Sequence, residues 1–140
     1  MKPVFIDSNI PMYWAGQDSE LKEPCRRILE ATASRQIEGV TSSEVFQEIL
    51  YRFWALRDIA TGHAIFDRFR IVVTEILPVG AEDVLLARQL QEKYQLGPRD
   101  LVHAAVMLNN GITTIITADR DFDKIPGIKR LDPLYFEDTV

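Results

Sequence analysis

Four acidic residues spread along the chain could together bind a divalent metal ion. They are Asp7, Glu44, Asp100 and Asp119. Two carboxylates about 4 Å apart repel each other by roughly 4 kcal/mol at an effective dielectric constant of about 20, so a cluster of them favours a bound cation or shared protons. Because the ligands would be hard oxygen atoms, in a chain with two histidines and one cysteine, the set favours Mg²⁺ or Mn²⁺ over Zn²⁺.

The chemistry that such a centre predicts is the hydrolysis of a phosphodiester bond, because these ions activate water and stabilise charge on phosphate. Each acid also has a structural explanation of its own. Asp7 could cap a helix, Asp119 could begin a turn, and residues 41–44 have the spacing of a capping box. Asp100 follows Pro98 at a predicted helix start, where the helix dipole favours an acid.

Short apolar runs alternate with longer helical patterns along the chain. The predicted strands cover residues 4–6, 37–41, 71–76, 113–117 and 128–131, and the predicted helices cover residues 21–33, 43–54, 59–69, 81–94 and 101–108. On the fourth of these helices, the side chains of Val84, Leu85, Ala87 and Leu90 are expected to face the core. Strands separated by helices imply a mostly parallel central sheet with helices on both faces. The predicted fold class is therefore α/β, as a single domain over residues 1–140.

The predicted elements bring the four acids to one edge of the sheet. In an open parallel sheet, ligands bind beyond the carboxyl ends of the strands. The first strand ends directly before Asp7, and the fourth ends two residues before Asp119. Glu44 lies in the first turn of the helix after the second strand, and Asp100 lies in the first turn of the helix that leads into the fourth. Because all four acids are expected at the same edge of the sheet, the separate explanations as helix caps or turn residues become weaker.

Small polar residues beside these acids are predicted to support them. Ser8 and Asn9 follow Asp7 directly and could hold its carboxylate or reach a water on the metal. Thr117 stands two residues before Asp119 and could act on it in the same way. We therefore expect the supporting side chains on the loops that follow the first and fourth strands.

Three further residues near the acids have open roles. Asp121 could add an outer metal ligand. Glu48 lies one helical turn after Glu44 and shares its helix face, so a direct role for Glu48 is an alternative. His103 lies three residues after Asp100 on one helix face, where a buried histidine beside the site is expected rather than a general base.

Composition bounds the class of protein. The chain has 140 residues, a net charge of −5 and a single cysteine, Cys25, which excludes an intramolecular disulfide. No run approaches the roughly 18 apolar residues of a membrane span, and Asp7 interrupts the N-terminus where a signal peptide needs an apolar run. The predicted compartment is therefore the cytoplasm, without a membrane partner.

The distribution of charge leaves the mode of nucleic-acid binding open. The net charge argues against binding by bulk electrostatics alone. Residues 51–70, however, carry four arginines against two aspartates, which suits a basic strip beside an acidic metal centre. An ordinary solvated helix face explains the same residues equally well.

Four motifs together resemble one known family. Residues 5–9 (Phe-Ile-Asp-Ser-Asn), 42–45 (Ser-Ser-Glu-Val), 98–105 (Pro-Arg-Asp-Leu-Val-His-Ala-Ala) and 116–122 (Ile-Thr-Ala-Asp-Arg-Asp-Phe) resemble the PIN-domain family in order and spacing. The likeness covers nearly the whole chain and is greatest to VapC-type toxins, the small ribonucleases of bacterial and archaeal toxin–antitoxin pairs. Each motif is weak alone, and the four in order are a fairly specific signal.

The resemblance implies more than the residues do by themselves. It implies a five-stranded parallel sheet with helices on both faces, and an endoribonuclease that depends on Mg²⁺ or Mn²⁺. The metal ligands it implies match Asp7, Glu44, Asp100 and Asp119, with Asn9 and Thr117 at the family's neighbouring polar positions. It also implies a homodimer and an antitoxin protein, one segment of which blocks the site.

Two alternatives to an RNA-cleaving toxin remain at this stage. The same acids could serve a nuclease that acts on DNA, or one that processes RNA without an antitoxin. The chain could also be a binding module that does no catalysis. On the helix from Ser43, a wide apolar face with Leu50, Tyr51 and Trp54 could receive a dimer mate or an antitoxin helix, or could be buried inside the fold.

Overall fold

Five strands and six α-helices alternate along the chain in the computed structural model, which describes residues 2–136. The remaining residues of the predicted domain, 1 and 137–140, lie outside the described part. The strands are β1 (Pro3–Ile6), β2 (Glu38–Ser42), β3 (Glu75–Leu77), β4 (Thr114–Ile116) and β5 (Lys129–Leu131). The helices are α1 (Asn9–Ala15), α2 (Lys22–Ala33), α3 (Ser43–Ala55), α4 (Ile59–Val72), α5 (Ala81–Gln91) and α6 (Pro98–Asn109), with short 3-10 helices at Arg120–Lys124 and Pro133–Tyr135.

The five strands form one parallel sheet in the order β3-β2-β1-β4-β5. Phe5 on β1 is paired with Val40 on one side and with Ile115 on the other, so these strands end at nearly the same level. From β1 the chain moves outward to β2 and β3, and then returns to place β4 on the opposite side of β1. The strand order therefore reverses between β1 and β4, where α/β proteins bind their ligands.

Helices cover both faces of the sheet, as the sequence predicts. Helices α1 to α4 pack against one another, and α5 packs against α6. Because parallel crossovers are right-handed, the helices that follow the outward-moving strands lie on one face, and those of the return crossover lie on the other. Helix α6 buries six of its residues, from Leu101 to Met107, and its first turn therefore stands at a fixed place beside the sheet edge.

The predicted strand over residues 71–76 is wrong in its position. Ile71 and Val72 belong to the end of α4, and the strand is the shorter Glu75–Leu77. The β-branched run Ile-Val-Val favours a strand locally, but tertiary packing overrides that preference, because buried Phe69 anchors the last turn of the helix. Helix α1 is not among the predicted helices, and Pro11 is accommodated there because it lies in the first turn.

The predicted inward face of α5 is partly wrong. Val84 and Leu85 are 53% and 65% exposed, whereas Ala87 is buried. The buried first-turn residue is Asp83, whose carboxylate accepts hydrogen bonds from the Gly80 amide at 2.8 Å and from Asn109 Nδ2 at 2.8 Å. A carboxylate with these donors can be buried without an opposite charge. Because Asp83 faces the core, the inward side of the helix differs from the one that apolar spacing predicts.

The apolar face of α3 divides into two parts. Phe46 and Ile49 are buried, whereas Leu50, Tyr51 and Trp54 are 41%, 50% and 63% exposed. The exposed part therefore remains open to a partner. None of the helices within residues 2–136 combines the length and the apolar character that a membrane span requires.

Candidate metal-binding active site

Asp7 lies directly beyond β1 and is almost completely buried, with 4% of its surface exposed. Its Oδ1 accepts a hydrogen bond from the Ser8 amide at 2.7 Å, and its Oδ2 accepts from the hydroxyl of Thr117 at 2.7 Å and from Asn9 Nδ2 at 3.3 Å. Ser8, Asn9 and Thr117, which the sequence analysis predicts as supporting residues, therefore all donate to this carboxylate. Thr117 was expected to support the carboxylate of Asp119. Its hydroxyl instead donates to the carboxylate of Asp7, and it accepts a hydrogen bond from the main-chain amide of Asp119 at 3.0 Å.

Asp119 and Asp121 lie on the segment that follows β4. Oδ1 of Asp119 accepts from the Asp121 amide at 2.9 Å and so begins the 3-10 helix Arg120–Lys124. Arg130 on β5 supports this segment, because its Nη1 donates to the Thr117 carbonyl at 3.2 Å while the same guanidinium forms ion pairs with Asp123 and Asp132. The turn that the sequence allows for Asp119 is thus present, and the second carboxylate oxygen of Asp119 is available for other contacts.

Asp100, Asp119 and Asp121 form one group of carboxylates. Oxygen atoms from the three side chains all lie within 4.8 Å of one another. Burial, together with the negative charges of Asp7 and Asp119, raises the pKa of Asp100 to about 7. A raised pKa means that the charged form of Asp100 is repelled by the neighbouring carboxylates, and the described side chains do not balance this repulsion. A bound cation would relieve it.

Glu48, His103 and Asp7 form a second group, whose ligand atoms also lie within 4.8 Å of one another. Oε1 of Glu48 lies 2.5 Å from Nε2 of the fully buried His103, and Oε2 accepts from the Ser8 hydroxyl at 3.0 Å. The guanidinium of Arg99 lies 3.7 Å from the same Oε2. Glu48 is therefore held next to Asp7 by residues from α6 and from the β1 end.

The predicted ligand Glu44 belongs to neither of these groups within residues 2–136. It lies in the first turn of α3, at the margin of the site, where burial raises the pKa of its carboxyl and the charge of Glu48 adds to that effect. Glu48 is one turn further along α3 and reaches the β1 end. The sequence signals for Glu48 are its shared face with Glu44 and the histidine three residues after Asp100, and neither shows which turn of the helix approaches the strand.

The charges at Glu48 and His103 stabilise each other. Burial alone would raise the pKa of Glu48, but the hydrogen bond from His103 and the charges of His103 and Arg99 lower it overall. Burial alone would lower the pKa of His103, and the hydrogen bond to Glu48 together with Asp7 and Asp100 raises it. Asp7 itself has a raised pKa because its burial outweighs the charge of His103 and the hydrogen bond from Thr117.

A groove of about 870 Å³ opens beside the second group and runs between α1, α3 and α4. Ser8, Asn9, Glu48 and Arg99 line its inner end. Further out, its walls combine apolar side chains with Arg52, and the lining residues there include Met12, Tyr13, Phe53, Leu56, Thr61 and Ile65. The groove therefore leads from an acidic end with one arginine to a mixed apolar surface.

Comparison with known proteins agrees with this architecture. Residues 4–128 match the family described as PIN domain, and the chain belongs to that family. Over 129 residues it is 42% identical to ribonuclease VapC13 of Mycobacterium tuberculosis. The aligned region covers 91% of this chain and 98% of that relative. Within the PIN-domain family, the chain therefore belongs to the VapC ribonucleases.

Solved structures share the fold. The DNA-bound VapBC from Salmonella typhimurium superposes with a TM-score of 0.74 at 20% identity and covers 95% of this chain and 99% of that one. The toxin-antitoxin complex from Klebsiella pneumoniae superposes with a TM-score of 0.64 at 17% identity and covers 93% and 97%. At these identities the likeness establishes the common fold alone.

Proposed function

We propose that this chain is a metal-dependent endoribonuclease that hydrolyses RNA phosphodiester bonds, and that it is the toxin of a toxin–antitoxin pair. The observation that carries the proposal is the meeting of two carboxylate groups, around Asp7 and around Asp119, at the edge where the strand order reverses. Membership of the VapC ribonucleases supports RNA as the substrate. The cytoplasm is the proposed compartment.

The donor set suits Mg²⁺ or Mn²⁺. Every carboxylate is a hard oxygen ligand, and the pKa of Asp100, raised to about 7, is evidence of negative charge that lacks compensation. We propose Asp7, Asp100 and Asp119 as ligands, with Glu48 taking the position beside Asp7 that the sequence assigns to Glu44. A divalent ion held there would supply activation of water and stabilisation of charge on the scissile phosphate. Asp121 would act as an outer ligand, and Glu44 would add negative charge at the margin.

The chain's own residues would prepare the site in three ways. Ser8 and Thr117 hold the two oxygens of Asp7 and leave it one orientation. Arg99, which is half exposed beside Glu48, would bind a phosphate of the RNA through charge-assisted hydrogen bonds. Arg52 lies further along the groove and would bind a neighbouring phosphate. These two arginines offset the acidic character of the whole chain at the point where the substrate enters.

The groove also supports the proposed antitoxin. A segment of that protein lying between α1, α3 and α4 would cover Glu48 and Arg99, and its presence would exclude RNA from the acids. The exposed side chains of Leu50, Tyr51 and Trp54 on α3 offer an apolar contact for a second copy of the chain, in the proposed homodimer. Light scattering of the purified protein would test the dimer, and a mass of one chain would overturn it.

Cleavage assays on matched RNA and DNA strands test the proposed activity. We expect the wild-type chain to cut RNA in Mg²⁺ or Mn²⁺ and to lose this activity in EDTA. Asp7→Asn should reduce the rate by about 100-fold or more, whereas Asp18→Asn, a change at a fully exposed acid, should leave the rate unchanged. Cleavage of DNA alone would favour the DNA-directed alternative. A folded chain that cuts neither strand in either metal would instead favour a binding module.

A paired substitution decides between the two glutamates of α3. Glu48→Gln should reduce cleavage by about 100-fold, and Glu44→Gln by less than about tenfold, because Glu48 alone is in contact with the surroundings of Asp7. The reverse order would restore Glu44 as the ligand. Equal and small effects would exclude both side chains from the metal.

A further inference from the structure

His103 is buried under the acidic site and is not among the proposed ligands. It lies on α6 with 0% of its surface exposed, and its ring packs against Phe5 of β1 at a centroid distance of 5.5 Å. The chain's other histidine, His63, is exposed on α4. A polar ring in the core requires a partner, because an unpaired buried polar group is destabilising.

The partner of His103 is the carboxylate of Glu48. Nε2 lies 2.5 Å from Oε1 of Glu48 and 3.8 Å from Oδ1 of Asp7, so the imidazole stands between these two acids. On its other oxygen, Glu48 accepts a hydrogen bond from Ser8, whose amide also donates to Asp7. Both oxygens of Glu48 are thus held by groups that adjoin Asp7.

We infer that His103 is a positioning residue, which fixes the carboxylate of Glu48 beside Asp7 by donating Nε2–H to Oε1. The inference rests on the proposed metal-dependent function. A glutamate side chain that is free to rotate must lose that freedom when it binds an ion, and a donor that fixes it beforehand removes this penalty. Buried donors of this kind behind metal ligands commonly change metal affinity by about 10–100-fold.

The other ring nitrogen strengthens the assignment to Nε2. Nδ1 is buried and has no hydrogen-bond partner among the described residues. The orientation of the ring is therefore set by Nε2 and by packing against Phe5, since no competing contact at Nδ1 turns it. A glutamine at this position carries its amide nitrogen near the place of Nε2, whereas the shorter asparagine carries it near Nδ1 and cannot reach Glu48.

Metal affinity, measured by titration calorimetry with Mn²⁺ alone, tests the inference on the full chain. His103→Asn should weaken binding by about tenfold, and His103→Gln should stay within about threefold of wild type. In a Glu48→Gln background, His103→Asn should have no further effect, because the two residues act through one contact. The exposed change His63→Gln is the matched control. Equal affinity of wild type and His103→Asn would overturn the inference while leaving the proposed function intact.

A spectroscopic measurement covers the case in which His103→Asn does not fold. The chain has two imidazoles, so comparing ¹H–¹⁵N spectra of the wild type and of His63→Gln assigns the signals that remain to His103. We expect a slowly exchanging Nε2–H signal that shifts in Glu48→Gln. A signal unchanged by Glu48→Gln would overturn the inference. If instead the wild type binds no Mn²⁺ and cuts no RNA, the proposed function fails, whatever this signal shows.

Discussion

The hydroxyl of Thr117 donates a hydrogen bond of 2.7 Å to Oδ2 of Asp7 and thereby joins the ends of β4 and β1. The hydroxyl oxygen of Thr117 also accepts hydrogen bonds from Asn9 Nδ2 at 2.9 Å and from the Asp119 amide at 3.0 Å. One buried hydroxyl therefore sets the positions of two proposed metal ligands. It uses its single donor and both of its acceptor sites, which leaves it only one arrangement.

Thr117→Val is expected to reduce both stability and activity. Valine has nearly the same shape but removes the acceptor of the Asp119 amide and the nearer of the two acceptors of Asn9 Nδ2, which should cost about 1–3 kcal/mol in the free energy of unfolding. Cleavage should fall by about tenfold or more because Asp7 loses a donor. Thr117→Ser keeps the hydroxyl and should retain most of both. Urea unfolding and cleavage rates measure these effects, and a valine variant equal to wild type would show that the hydroxyl has no such role.

Asp100→Asn should stabilise the metal-free protein. At pH 8 in EDTA, the carboxyl of Asp100 is charged although burial and the charges of Asp7 and Asp119 raise its pKa to about 7. Removing that charge should raise the free energy of unfolding by about 1 kcal/mol after allowance for the partial exposure of the group, and Tm by about 3 °C. Thermal melts against the exposed control Asp18→Asn measure this. A marked fall in Tm would mean that Asp100 is a structural helix cap.

The stability of the metal-free protein should fall as the pH rises. The carboxyls of Asp7 and Asp100 both have a folded pKa above the ordinary value of 3.8, so the folded state holds protons that the unfolded state has already lost. For Asp100 this window runs from about pH 4 to about pH 7, and stability is lost across it. The raised pKa of His103 acts in the same direction.

Chemical denaturation in EDTA from about pH 5 to about pH 8 measures this slope. Saturating Mg²⁺ should flatten or reverse it, because a bound cation favours the charged carboxylates. Asp100→Asn should reduce the slope in EDTA. A metal-free protein that becomes more stable over this range would contradict the assignment of unbalanced negative charge to the site.

Arg130→Ala should reduce stability more than activity. The side chain of Arg130 is 12% exposed, and its guanidinium donates to the Thr117 carbonyl at 3.2 Å and pairs with Asp123 and Asp132. Its loss should cost about 1–3 kcal/mol, because the part-buried hydrogen bond to the Thr117 carbonyl and the ion pairs with Asp123 and Asp132 are lost together. Cleavage should fall only a few-fold, since the hydroxyl of Thr117 still holds Asp7. Arg26→Ala, which breaks exposed pairs only, should leave stability close to that of the wild type.

Much of the fold could be predicted from local pattern. Strands β1, β2, β4 and β5 fall within two residues of their predicted ranges. For β1 and β4 the reason is that central strands of a parallel sheet read as short apolar runs. The same reasoning fails at residues 71–73 and at α5. In these two places, the residue at which α4 ends and the burial of the Asp83 side chain depend on tertiary packing, which for Asp83 includes a hydrogen bond from Asn109.

The sequence by itself determined the α/β class and the delivery of Asp7 and Asp119 to one sheet edge, since residues that closely follow parallel strands lie at the carboxyl edge of the sheet. It also identified Ser8, Asn9 and Thr117 as polar neighbours. Only the tertiary structure decided that Glu48 lies beside Asp7 and that Glu44 lies at the margin. That choice depends on how α3 is rotated about its axis and on its contact with His103, 55 residues away in the chain, and no local pattern encodes either of these.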